Sequence, residues 1–391
     1  MVNPHYNRFR RFCAWLVGIV FVISGVLKLM DPVGAGLVMD EYWNFFHVGF
    51  LHFISKPAAY ALALLEAVTG VALVTGVWRK PAAMTVSVMM LIFTIITAIL
   101  AIFNPPMDCG CFGEALHLTN LQTFIKNLII DALILIAFLP FRDLGVPRRV
   151  KYGTFALVSL SILAFSIYSL LYNPLKDYTD YRPGAQLALA RSEVEETVFE
   201  SKFVYEKNGK EKVFTLDNLP DTSWTFVRSE TSQNDHLQKA PALSFRHKDA
   251  VDSLGQIIFA DSLAATGNVL AVTVYNPARF DRSKLDGLLS DAAGTGYTVL
   301  VLTTDPDADG DDEYIVDYRS AIGMNRSNGG LTLIQDGTIV SKWSARKLPS
   351  KNELDVLYYG EPEESLIAAQ SRGSLLFQAF LLYIFAVMLL V

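Results

Sequence analysis

Apolar residues are not spread evenly along this 391-residue chain; they are gathered into runs. Six runs approach the roughly 20 mostly apolar residues that a bilayer crossing needs. They are Phe12–Met30, Ala58–Trp78, Ala82–Phe103, Leu121–Leu139, Tyr152–Tyr172 and Leu375–Val391, the last being the shortest. In hydrocarbon every backbone polar group must find its partner within the structure, so runs of this length fold as helices. Arg8, Arg10 and Arg11 precede the first run, as they would a signal peptide. The run is long and no small-residue cleavage site follows it, so it is read as a retained span.

Residues 173–373 lack such runs and read like a soluble domain. The overall 52% hydrophobic and 18% charged content is therefore an average over two kinds of chain. It excludes a disordered or nucleic-acid-coating protein. Net charge divides in the same way: +4 in residues 1–172, −10 in 173–373 and zero in 374–391, for −6 in all. The acidity belongs to one region and gives no sign of a nucleic-acid partner.

Short loops set orientation through their Lys and Arg. Arg8, Arg10 and Arg11 precede span one, Arg79 and Lys80 join spans two and three, and Arg142, Arg148, Arg149 and Lys151 join four and five. These loops alternate, so all three face the cytoplasm together. Loop 31–57 holds only Lys56, and loop 104–120 has no Lys or Arg. Both then face outward with residues 173–373, into the periplasm if the chain is bacterial. The first outer loop, Asp40 to Phe53, is dense in aromatics. Such residues suit an interfacial half-helix; a lid or mouth for a lipid-soluble ligand is the functional alternative.

The second outer loop carries Asp108-Cys-Gly-Cys-Phe-Gly-Glu114. An oxidising compartment favours disulfides. Cys109 and Cys111 can pair only through a tight ring, which Gly110 eases. Such a bond departs from relaxed geometry, is readily reduced and closes almost no loop. The pair suits an exchanging dithiol better than a structural staple, and the positive end of span four would favour a thiolate. Two other readings stay open: a metal site of Cys109, Cys111 and His117 suited to Zn or Cu, and a pair that only shapes the loop. Cys13 lies near the cytoplasmic end of span one and reads as a small buried apolar residue.

Ionisable residues inside spans are functional candidates by default. Here they are Lys28, Glu66, Lys126 and Asp131. At 1.5 Å per residue Glu66 lies ~12 Å, and Asp131 ~15 Å, below the outer ends of their helices. Asn127 and Asp131 are four apart and share a helix face. One expectation is a polar cluster that moves protons when the dithiol changes oxidation state. The other is a set of two structural ion pairs, Lys28–Glu66 and Lys126–Asp131.

Spans one to four, roughly residues 10–140, resemble the DoxX/MauE family of four-helix membrane proteins. The matching phrases are Ser24-Gly25-Val-Leu-Lys28-Leu-Met-Asp31-Pro32, Glu66 and above all Cys109-Gly-Cys-Phe-Gly113. In that family the methylamine-utilisation member is linked to disulfide formation in a periplasmic dehydrogenase. The resemblance implies a redox-associated membrane protein, without implying methylamine. The arrangement is also similar to vitamin K epoxide reductases, which oxidise a dithiol with a quinone. Their Cys-x-x-Cys pair is absent here, so the cofactor stays unknown, with quinone as an open option.

In the outer region, Phe203–Thr215 reads as a hairpin around Asn208-Gly209 and residues 331–343 as a hairpin around Asp336-Gly337. Asn268–Tyr275 and Thr298–Thr303 are apolar runs suited to buried parallel strands. Ser283–Ala293 has amphipathic helix spacing. The order strand, helix, strand, helix, hairpin over residues 240–350 resembles a thioredoxin-like fold of TlpA or peroxiredoxin type. Its dithiol position reads Tyr275-Asn-Pro-Ala-Arg279, its cis-proline loop reads Asn328-Gly-Gly-Leu331, and no cysteine follows Cys111. Such a domain presents or docks partners, or is a structural cap. Asp305–Glu313 resembles the start of an EF-hand loop, but its twelfth position is Val316 rather than the needed Glu.

The expected protein is α-helical and membrane-embedded: a four-span bundle (1–140), a loop and fifth span (141–172), a linker and hairpin region (173–239), a thioredoxin-like α/β domain (240–350), and a connector with a sixth span (351–391). Its expected role is thiol–disulfide chemistry on the periplasmic side of a bacterial inner membrane. Cys109 and Cys111 would be catalytic, with Gly110, Glu66, Lys28, Lys126 and Asp131 supporting. Its partners would be a periplasmic protein and membrane lipid. The alternative is a non-enzymatic scaffold or assembly subunit of an envelope complex.

Overall fold

The computed structural model describes residues 4–105, 107, 109–116, 118–139, 149–187, 199–207, 210–215, 225–233, 243–248, 260–360 and 362–389. The turn pair Asn208-Gly209, Asp108, Arg142, Arg148 and His117 lie outside them. The chain divides into two compact units, residues 1–178 with 371–391, and residues 179–370.

The first unit is helical. Its helices are α1 (Pro4–Met30), α2 (Pro32–Phe45), α3 (Ser55–Thr75), α4 (Arg79–Phe103), α5 (Asn120–Phe138) and α6 (Arg149–Leu171). Among the described residues five stretches are long and apolar enough to cross a bilayer: Arg8–Met30, Gly49–Thr75, Arg79–Phe103, Asn120–Phe138 and Arg149–Leu171. The sixth apolar run is helical too: among the described residues its apolar stretch, Gly373–Leu389, is shorter than these and forms the end of one helix, Pro362–Leu389. The outward faces of α4 and α6 expose Met84, Leu91, Ile102 and Leu160, as lipid-facing helices do.

Local chemistry sets the helix ends. Asp31 caps α2 by accepting the Gly34 N–H at 2.9 Å, and Pro32 fills the first helical position, where its missing N–H costs nothing. Thr119 and Gln122 close a reciprocal capping box on α5. α3 stops at Gly76, whose φ of 72° is left-handed.

In lipid there is no hydrophobic drive between helices, so close backbone packing holds them together. The α1–α3 seam shows how. A Cβ on Gly25 would stand 2.6 Å from the Ala67 nitrogen and 2.8 Å from the Ala63 oxygen. A Cβ on Gly70 would stand 2.6 Å from the Val22 nitrogen and 2.7 Å from the Gly18 oxygen. Small residues let the two backbones touch, and this contact brings α1's Ser24 and Lys28 against α3's Glu66. Cys13 is buried among Val17, Phe21 and Ala83, eleven residues along α1 from Ser24, as its apolar reading requires.

The second unit holds two sheets. A three-stranded antiparallel sheet has the order β3-β2-β4, built from β2 (Phe199–Lys207), β3 (Lys210–Thr215) and β4 (Thr225–Gln233). β2 and β3 pair from Lys202↔Thr215 to Lys207↔Lys210, the register of a tight hairpin. β4 adds a third strand that sequence reading leaves out.

The larger sheet has the order β10-β9-β6-β7-β8-β5. Its strands are β5 (Phe245–Arg246), β6 (Asn268–Val274), β7 (Thr298–Thr303), β8 (Glu313–Val316), β9 (Gly330–Gln335) and β10 (Thr338–Trp343). β6 and β7 are parallel, as their continuous apolar runs require of strands buried on both faces. β9 and β10 form a hairpin through Asp336 and Gly337, with φ 45° and 74°, the conformation Asp-Gly favours. The helices here are α7 (Asp286–Thr295), α8 (Tyr318–Met324) and α9 (Lys351–Tyr359). Leu289 of α7 and Leu354 of α9 pack with Leu270, Val272 and Leu333 on one face; Ala321 and Met324 of α8 pack with Ala271, Leu300 and Leu302 on the other. The expected helix over Ser283–Ala293 starts later, because Arg282–Lys284 form a separate 3-10 turn.

Arg282 holds Asp312 at 2.6 Å and Glu313 at 3.1 Å, and Val316 is buried in β8.

Candidate functional site at the cysteine loop

Cys111 begins an extended segment, β1 (Cys111–Glu114), that leads toward α5. The loop bends tightly at Gly110, whose φ is 56°. A Cβ there would sit 2.4 Å from Cγ1 of Val38 on α2, so glycine is required both by conformation and by space. Gly113, at φ 60°, lies over the end of α1, near Leu27 and Lys28.

Both cysteine carbonyls are clamped by hydroxyls from distant parts of the chain. Ser24 Oγ on α1 donates to the Cys111 carbonyl at 2.7 Å, and Tyr42 Oη on α2 donates to the Cys109 carbonyl at 2.7 Å. Burial, with a smaller contribution from the neighbouring cysteines, pushes the Tyr42 phenol well above its ordinary range. It therefore stays a neutral donor at physiological pH.

The two cysteines differ in setting. Cys109 is 5% exposed, and its Sγ donates to Oδ1 of Asn120 at 3.1 Å. Asn120 opens α5 and is itself fixed, donating to Asn104 Oδ1 and the Pro105 carbonyl, each at 3.1 Å. Cys111 is half-buried and lines a cavity of about 30 Å³, the size of a single water, with Ser24, Lys28, Glu66, Lys126 and Asn127.

Beneath the loop lies the buried pair Lys28–Glu66. Lys28 Nζ donates to the two carboxylate oxygens at 2.7 and 2.9 Å, with side chains 13% and 2% exposed. Ser24 Oγ also lies 2.9 Å from Glu66 Oε2. One hydroxyl hydrogen thus faces two acceptors, the Glu66 carboxylate and the Cys111 carbonyl.

The structure departs from one expected pair. Lys126 and Asp131 do not bond each other. They are five apart on α5, which places them about 140° apart around the helix axis. Lys126 Nζ stands over the Phe112 ring at 4.8 Å, and Asp131 accepts from Thr94 at 2.6 Å. Asn127 donates to Thr97 at 3.0 Å, so Asn127 and Asp131 do share a face, the one against α4. Lys28, Glu66, Lys126 and Cys111 meet at one cavity; Asp131 is not part of its lining. His117 lies outside the described residues. Among the described residues, no three His, Cys, Asp or Glu side chains are gathered as a metal ion would need.

Sequence reading passed over Ser24, Tyr42 and Asn120 as working residues. Only Asn120 carried a local signal, since Thr119-x-x-Gln122 marks the start of α5. Replacing Tyr42 by Phe removes one donor to the Cys109 carbonyl, at a cost of about 0.5–1.5 kcal/mol. The expected result is a lower melting temperature in detergent and faster maleimide labelling of Cys109. Labelling at the wild-type rate would show that the clamp does not hold the loop.

No curated protein and no solved structure matches this chain. Residues 199–234, the small antiparallel sheet, match the model of a domain of unknown function, DUF8463. The helical region gives the firmer result: residues 7–140, about a third of the chain and the whole setting of the cysteine loop, match the model of the family described as methylamine utilisation protein MauE.

Proposed function

We propose that this chain is a membrane thiol–disulfide exchange protein whose working pair is Cys109 and Cys111. The observation that carries the reading is the asymmetry of the two thiols. Cys111 is half-buried beside a polar cavity, Cys109 is buried on Asn120, and the carbonyls of both are clamped.

Cys111 then meets an incoming disulfide. Its thiolate attacks one partner sulfur, forming a mixed disulfide and releasing the other partner sulfur as a thiolate. The Cys109 thiolate next attacks Cys111 Sγ, closing the Cys109–Cys111 bond and releasing the second partner thiolate. Two electrons pass from the pair to the partner. Starting from the oxidised pair, the same steps in reverse place a disulfide in the partner. Ser24 and Tyr42 are positioning residues. Lys28 and Glu66 supply the charged underlay through which the Ser24 hydrogen is shared.

The alternating basic loops support an orientation with the cysteine loop on the periplasmic side of a bacterial inner membrane, where oxidised pairs persist. In the second unit, the chain order β6-α7-β7-β8-α8-β9-β10-α9 supports a thioredoxin-like reading of residues 240–350. At the position of a thioredoxin dithiol, Asn276 N–H donates to Asn328 Oδ1 at 2.8 Å, and Asn328 Nδ2 donates to the Asn276 carbonyl at 3.0 Å. This reciprocal bond ties the two loops together where a thioredoxin would exchange thiols, so the domain acts as a docking module for the protein partner.

Single Cys109→Ser and Cys111→Ser variants test the reading. Cys109→Ser leaves Cys111 without its resolving thiol and is expected to accumulate a mixed disulfide with a periplasmic protein, identified by mass spectrometry. Cys111→Ser is expected to accumulate little. Full activity of the strain carrying the double serine variant would instead favour a non-enzymatic scaffold in an envelope complex.

A further inference from the structure

The expected spans hold two carboxylates, Glu66 and Asp131. Glu66 is buried and paired with Lys28. Asp131 has no such partner. It is half-buried on α5, about 15 Å below the outer end of that helix, near the middle of a hydrocarbon core of roughly 30 Å. The Thr94 hydroxyl on α4 donates to it at 2.6 Å, and among the described residues no cation reaches it.

The carboxylate lies on the seam between α4 and α5. One turn further out, Asn127 donates to Thr97 across the same seam at 3.0 Å. On the other side the seam looks away from the bundle. Leu91 and Ile95 flank Thr94, Leu128 and Leu135 flank Asp131, and all four are exposed. Lipid suits those apolar side chains and not the carboxylate. An ionisable group at this depth is costly, and in folded membrane proteins it is paired. One hydroxyl supplies a hydrogen bond but no charge. The missing cation is not within this chain, whose expected spans contain only Lys28 and Lys126. Lys28 is bonded to Glu66 near the outer end of α1, and Lys126 stands over Phe112. Lys126 is also five residues, about 7.5 Å, nearer the outer surface than Asp131. A second copy in the same orientation brings neither to the depth of Asp131.

We propose that the outward face of the α4–α5 seam docks a transmembrane helix of another protein, one that carries a Lys or Arg at mid-bilayer depth to pair with Asp131. The carboxylate supplies the charge that selects the partner, and Leu91, Ile95, Leu128 and Leu135 supply the apolar surface on which its helix packs. The partner is a membrane protein, distinct from the periplasmic one that the exchange reading requires. The inference does not depend on that reading.

The test places the full-length chain, labelled with a donor fluorophore at its N-terminus, in phosphatidylcholine vesicles with an acceptor-labelled synthetic helix. That helix is a run of about 20 leucines, long enough to span, with Lys, Leu or Glu at its centre and the same flanks in each case. Energy transfer is expected to show the Lys helix binding about tenfold more tightly than the Leu helix, the worth of one polar contact between helices. The Glu helix is expected to bind no better than the Leu helix. Asp131→Leu is expected to remove the preference for Lys, and Thr94→Val, which keeps the carboxylate, is expected to retain it. Leu128→Trp adds bulk at an exposed position beside Asp131 and is expected to weaken binding of the Lys helix, whereas Leu160→Trp, exposed on α6, is not. This surface pair keeps the test valid even if Asp131→Leu fails to fold. The inference is overturned if the Lys and Leu helices bind alike, if folded Asp131→Leu keeps the preference, or if Leu160→Trp weakens binding as much as Leu128→Trp. Self-association of the chain that Asp131→Leu abolishes would also overturn it, by making a second copy the occupant.

Discussion

Glu66→Gln is expected to destabilise the helical unit by about 3–5 kcal/mol, because it strands Lys28 as an uncompensated buried charge. Lys28 is 13% exposed, and Glu66 accepts both of the bonds it makes there. The double change Lys28→Met with Glu66→Met is expected to recover most of that loss, since two apolar side chains leave no charge to desolvate. Equilibrium unfolding in mixed detergent micelles measures both. A second readout separates structure from chemistry. The Ser24 hydrogen is shared between Glu66 and the Cys111 carbonyl, so Glu66→Gln is also expected to change the rate of Cys111 alkylation at a fixed pH. A variant as stable as wild type, with an unchanged rate, would reduce the pair to helix packing alone.

Gly70→Val is expected to destabilise the same unit, by a different route. Its Cβ would stand 2.6 Å from the Val22 nitrogen and 2.7 Å from the Gly18 oxygen. Those are backbone atoms, so the overlap is relieved only by moving α1 away from α3. Overpacking a tight seam costs about 1–3 kcal/mol and occasionally more, and here the separation also stretches the Lys28–Glu66 and Ser24–Cys111 bonds. Loss of stability should therefore come with faster labelling of Cys111. Gly153→Ala on α6 is the control. Among the described residues nothing lies within 4 Å of the new methyl, and removing a helix-interior glycine is expected to stabilise by about 0.5–1 kcal/mol.

Much of this site was legible in the sequence, for reasons tied to particular residues. Hydropathy located five spans because hydrocarbon leaves the backbone no alternative to a helix. The Cys-Gly-Cys spacing and the charges at 28 and 66 marked the site because such groups are costly in a membrane without a purpose. Asp336-Gly337 marked its hairpin because few other pairs adopt two positive φ angles. What escaped was set by tertiary contact. Ser24 reaches Cys111 across 87 residues of chain, and Tyr42 reaches Cys109 across 67; no local pattern announces either. Lys126 and Asp131 looked like partners by charge, yet five residues on a helix point them apart, and Phe112 and Thr94 take their places. The closing apolar run lies in a helix that begins earlier, at Pro362, in a stretch whose polarity hides it. β4 was missed because Thr225–Gln233 is mostly polar and shows little of the apolar alternation that marks a strand.

The claim that Cys109 and Cys111 form an exchanging dithiol is tested most directly by a redox titration of the purified chain. The protein is equilibrated in glutathione buffers of stepped potential, quenched in acid, denatured and alkylated with a maleimide of known mass. The chain has three cysteines, and Cys13 is buried apart from the pair. A reversible two-electron couple should move the population from three adducts to one, without a two-adduct species, at a midpoint between about −300 and −120 mV. Three adducts at every potential, or a bond that stays closed at potentials well below that window, would contradict it.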